Sequence, residues 1–84
     1  PVEFAVYPNP AFESATFAYH LDTPATIRLD LYDALGRRVQ TLANAHQTAG
    51  MHHVTLNRDN LPAGVYLWHL QRDGHVQTGK VVFK

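Results

Sequence analysis

Six histidines in an 84-residue chain are the first place to look for chemistry, because neutral imidazole is the commonest transition-metal ligand. Their spacing assembles no site. His52 and His53 are neighbours on an expected strand and should point to opposite faces, while His20, His46, His69 and His75 form no H-x-H or H-x-x-x-H pair. They are read as scattered surface and partly buried side chains, and no metal or cofactor is expected. Ser14, the only serine, sits in a plain strand context without the G-x-S-x-G turn that exposes a nucleophile, so no hydrolytic triad is expected. A glycosidase needs two carboxylates facing each other at about 5 to 10 Å. Asp30 and Asp33 are more simply a strand residue and a turn residue, and Asp59 with Asn60 is loop chemistry with too few oxygens for a calcium loop. Tyr66 and Trp68 could stack on a sugar, but in so small a domain they are expected to fill the core. The expected protein is not an enzyme.

The elements that must hold these residues are strands. Seven segments carry strand signals, separated by turn residues at the spacing of a sandwich or barrel. Ala25 to Asp33 is the cleanest, with Ile27, Leu29 and Leu31 alternating with Arg28 and Asp30. Ser14 to His20 alternates in the same way, with Leu21 extending the apolar row, and Glu3 to Tyr7 reads as an edge strand ending in proline. Arg37 to Ala43 breaks strict alternation at Val39 and Leu42, which predicts a bulge or an early end. Asn44 to Ala49 is read as an exposed loop. In Met51 to Asn57 the expected inward row is His52, Val54 and Leu56. Gly64 to Arg72, rich in large β-formers, is expected to be a central strand, and Asp73-Gly74 turns it into a closing strand, His75 to Phe83. The fold class is therefore all-β, an antiparallel sandwich.

Seven basic side chains balance seven acidic ones, so no long-range field attracts nucleic acid or an anionic membrane. No apolar run approaches the roughly 18 to 20 residues that span a bilayer, and no basic stretch leads into an apolar core near the start. Neither a membrane span nor a signal peptide is expected in these residues. The absence of cysteine rules out a disulfide framework, leaving packed apolar faces to stabilise a thin core. A start at Pro1 without an initiator methionine suggests a piece of a longer protein that would hold any catalytic activity.

Two motifs bracket the chain. Tyr7-Pro8-Asn9-Pro10 must stop and turn the backbone, because two prolines one residue apart exclude a helix. Leu61 to Tyr66, L-P-A-G-V-Y, opens the strongest strand. In order with I-R-L-D-L-Y-D-A-L-G-R-R-V, A-G-M-H-H-V-T-L-N and the final K-V-V-F-K, they carry a resemblance covering Phe4 to Lys84. The chain resembles the C-terminal sorting domain of type IX secretion substrates, and in pattern also the immunoglobulin-like domain of flagellar hook-capping proteins.

The resemblance implies a single immunoglobulin-like sandwich of about seven strands, spanning residues 1–84, at the end of a larger exported protein of a Bacteroidetes-type bacterium. It implies an address label: a cargo domain N-terminal to it, recognition by the type IX outer-membrane translocon after passage through the periplasm, and removal by a sortase-like surface protease that links the cargo to an anionic lipopolysaccharide. The cleavage point is expected upstream of or near Pro1, and the domain is expected to be a monomer. Tyr7, Pro8, Asn9 and Pro10 match the family's opening motif, Gly36 and Arg37 its glycine-arginine turn, Gly50 the glycine before its fifth strand, Gly64 and Tyr66 its G-x-Y strand, and Lys80 the lysine of its final strand. These are read as mostly structural, the prolines setting a bend, the glycines permitting unusual φ and Tyr66 packing. Lys80, Val81, Val82, Phe83 and Lys84 are the candidate signal, since an exposed last strand can pair by edge addition with a receptor. The alternatives are a carbohydrate-binding or spacer module, which requires an exposed Trp68, and a self-associating scaffold module.

Overall fold

The computed structural model of the chain describes residues 3–84. Pro1, on which the expectations about excision and cleavage rest, lies outside them. Seven strands follow one another with no helix among the described residues: β1 Glu3–Tyr7, β2 Ser14–Leu21, β3 Ala25–Tyr32, β4 Arg38–Gln47, β5 Gly50–Asn57, β6 Gly64–Arg72 and β7 His75–Phe83. They form two antiparallel sheets, ordered β1-β2-β5 and β4-β3-β6-β7. The chain crosses between sheets after β2, β4 and β5, which makes an immunoglobulin-like sandwich.

Alternation decides which face each strand buries. From β2 the core takes Ala15, Phe17, Tyr19 and Leu21, from β3 Ala25, Ile27, Leu29 and Leu31, and from β6 Tyr66, Trp68 and Leu70. Leu56 of β5 is buried and His52 and Val54 half-buried, as the expected inward row requires. β6 is central, and Gly36 takes the positive φ of 84° that its tight hairpin needs. Asp33 holds that turn. Its carboxylate accepts from the Leu35 and Arg37 amides at 2.9 and 3.0 Å and from Arg37 Nε at 2.8 Å. These bonds, the Arg37 amide first, outweigh desolvation and keep the Asp33 carboxyl below its usual range.

The irregularity expected in the fourth strand is two bulges. The register with β3 slips between Leu29 and Asp30 and again between Leu31 and Tyr32, leaving Leu42 and Val39 as the extra residues, both packed against the core. The loop expected from Asn44 is a correction. β4 runs on to Gln47, pairing Asn44, Ala45, His46 and Gln47 with Arg28, Ile27, Thr26 and Ala25. Short and polar residues conceal a strand here because this edge strand covers little of the core.

Candidate functional site

The two bracketing motifs meet. After β1 the chain turns through Tyr7-Pro8-Asn9-Pro10, with both proline peptide bonds cis, and runs beside the outer edge of β7. Asn9 Nδ2 donates to the Lys80 carbonyl at 3.2 Å, and the Val82 amide donates to Asn9 Oδ1 at 3.1 Å. Ala11 continues the contact: its amide donates to the Val82 carbonyl at 2.7 Å, and the Lys84 amide donates to its carbonyl at 2.9 Å. Arg58 closes the far end, donating from Nε to the Leu61 carbonyl at 3.0 Å and from Nη1 to the Phe12 carbonyl at 3.1 Å and to the Lys84 carbonyl. Its guanidinium also sits 5.8 Å from the centre of the Phe83 ring.

This geometry changes what Lys80 to Lys84 can offer. Edge addition requires free backbone groups, and those of Lys80, Val82 and Lys84 on the outer edge are already bonded to Asn9 and Ala11. The exposed strand edge inferred from sequence is therefore a covered one. The side chains divide by face. Val81 and Phe83 are fully buried, and Phe83 meets Tyr66 edge-on at 5.8 Å, whereas Lys80 and Lys84 are exposed and Val82 half-buried.

The remaining motif residues lie in turns, strand starts and the core. Gly50 and Gly64 have φ of 119° and 149°, and buried Tyr66 donates its hydroxyl to the Pro62 carbonyl at 2.6 Å. Tyr7 is half exposed, and Arg37 belongs to the Asp33 turn. Trp68 is buried on the inner face, its ring 4.1 Å from that of Phe4, so the sugar-stacking platform is lost to the core. Gly79 was missed from sequence. A Cβ there would overlap the Trp68 ring, so the indole occupies the space a side chain would need. Asn9 as a clasp and Arg58 as a clamp were also missed, and no local signal could reveal contacts made 71 and 26 residues away.

The chemistry-bearing residues do not converge. Among the described residues no three of His, Asp or Glu are grouped to hold a metal. Asp30, buried on β3, accepts from Arg28 Nε at 2.8 Å and Thr41 Oγ1 at 2.7 Å. Desolvation raises its pKa, but those bonds and the charges of Arg28 and Arg38 prevail and hold the carboxyl below its usual range. Tyr19, buried, donates to Gln47 Oε1 at 2.6 Å, and burial pushes its hydroxyl pKa up. His69 is the exception, its Nδ1 buried and without a partner among the described residues.

The fold and site together define an immunoglobulin-like sandwich whose assembled feature is a clasped terminal strand. Residues 5–84 match the family model described as "Secretion system C-terminal sorting domain", and the chain belongs to that family, the sorting domain of type IX secretion. The solved structure titled "The crystal structure of CopC from Methylosinus trichosporium OB3b" is similar in fold, with a TM-score of 0.50 and 14% identity, covering 96% of this chain and 91% of that one. No curated protein sequence matches significantly. Membership implies a cargo fused on the N-terminal side, a secretion-system partner and export from the cell.

Proposed function

We propose that this domain is a non-catalytic, monomeric address label. The type IX translocon recognises it in the periplasm and moves the attached cargo across the outer membrane. A sortase-like surface protease then removes the domain and attaches the cargo to the cell surface. The observation that carries this reading is the family match through the whole sandwich, from β1 to Lys84. Within residues 80–84, Lys80, Val82 and Lys84 are the side chains available for recognition, while Val81 and Phe83 are held in the core. Tyr7 to Pro10, Gly36, Arg37, Gly50, Gly64 and Tyr66 act by building the scaffold that presents it.

The test is export of a periplasmic reporter carrying residues 1–84 at its C-terminus in a type IX-competent host. The intact fusion should reach the cell surface or medium, and a fusion lacking residues 80–84 should stay in the periplasm. Because that deletion also removes Phe83 from the core, a second fusion replaces Lys80, Val82 and Lys84 with alanine. It should fold and still fail to leave. Retention of the intact fusion, or export of both variants at the intact level, overturns the reading.

A further inference from the structure

The outer face of the four-stranded sheet carries an open groove of about 590 Å³, whose walls include Tyr32, Gly36, Leu67, His69, Thr78 and Lys80. The register explains why these meet: Tyr32 lies opposite Leu67, Leu67 opposite Lys80, and His69 opposite Thr78, all on the face turned from the core. We propose that this groove seats an extended segment of the export machinery that presents an apolar side chain beside a carboxylate. The proposal rests on the sorting reading above and assigns it a recognition surface.

Four observations support it. Backbone pairing along the end of β7 is pre-empted by Asn9 and Ala11, so a partner that meets this end must read side chains, and the groove opens at Lys80. Leu67 is 42% exposed on a central strand beside Val65 at 43%, an apolar patch where a solvated sheet face would carry polar groups. The charge is one-sided. The groove walls hold Lys80, which makes no ion pair among the described residues, and no carboxylate. The nearby acids are spent internally, Asp33 on Arg37 and its turn and Asp30 on Arg28 and Thr41. His69 lines this groove, and its buried Nδ1 has no partner among the described residues, a group that in folded proteins calls for an explanation beyond packing. A volume in the range of roughly 300 to 1,000 Å³ suits a few side chains of a peptide. A second copy is disfavoured, because a two-fold contact would bring Lys80 and its surroundings against the same positive surface.

The experiment uses the same reporter fusion with single substitutions at exposed positions, each purified as well to compare its unfolding midpoint with that of the unsubstituted domain. Leu67→Asp and Lys80→Glu should each lower the exported fraction at least tenfold with the midpoint unchanged. Val76→Ser, on the same face but outside the groove, should export normally. If Leu67→Asp lowers the midpoint, Leu67→Ser replaces it. Normal export of both groove variants overturns the groove and leaves the sorting reading standing, whereas retention of the unsubstituted fusion overturns both. Sedimentation of the isolated chain must show a monomer, and a dimer abolished by Leu67→Asp would assign the groove to self-association and overturn the proposal.

Discussion

Strands β4 and β7 lie at opposite edges of the same sheet, and each could offer backbone groups to a neighbouring chain. β4 is protected from within, by two bulges that interrupt its ladder and by exposed Arg38, Gln40, Thr41, Asn44 and His46 along its length. β7 has no such irregularity in its pairing with β6, and the chain instead brings back Asn9 and Ala11 to occupy its outer edge. The difference teaches that a terminal strand can be kept regular enough to bury Val81 and Phe83 and to align Lys80 with Leu67 only if its edge is guarded by another part of the chain.

The largest expected contrast lies in the core beneath the two edges. Phe83→Ala should cost about 3 to 5 kcal/mol in urea unfolding, because a fully buried ring is removed and its cavity fills poorly. Leu42→Ala, on a half-buried bulge, should cost only about 1 kcal/mol. Equal costs would erase the distinction between an edge that builds the core and one that skirts it.

Next in size is the clasp itself. Asn9→Ala removes two hydrogen bonds to β7 and should cost about 1 to 2 kcal/mol, with faster hydrogen exchange at the Val82 amide. Asn9→Asp sharpens the point, since it keeps an acceptor for Val82 but turns a carboxylate oxygen toward the Lys80 carbonyl. If Val82 exchange is unchanged in Asn9→Ala, the edge is closed by Ala11 without help from the side chain.

The smallest effect is expected at the β4 edge and depends on pH. Asp30 has a pKa below the usual carboxylate value, so the unfolded chain binds more protons in acid. The stability it contributes is present above the ordinary value of about 3.9 and is lost as pH falls through the lower, folded value. Thr41→Val removes one donor to Asp30 and should cost about 1 kcal/mol at neutral pH. The cost should shrink only as pH falls through that lowered folded value, where the carboxylate takes up its proton. A penalty that stays constant down to the acid limit would place the role of Thr41 in packing.

Much of the scaffold was legible because its signals are local. Ile27, Leu29 and Leu31 alternate with polar neighbours, Asp33 and Gly36 turn the chain, and Val39 and Leu42 betray their bulges by falling out of step. The end of β4 was not legible, since Asn44, Ala45 and His46 pair through backbone groups that every residue possesses. The motif Tyr7 to Pro10 could be matched to a family from its residue types, but its task could not be read from them.

By itself the sequence determined an all-β chain of seven strands, the inward rows of most of them, and a resemblance that places it among secretion sorting domains. Strand alternation and turn chemistry act over two to five residues, which is the range a sequence displays directly. Only the tertiary structure decided that Asn9 covers the edge beside Lys80 and Val82, that Trp68 lies inward across Gly79, and that Leu67, His69 and Lys80 share one outer groove. Those contacts arise when separate strands are brought into register, and the register is set by burying the whole apolar face at once.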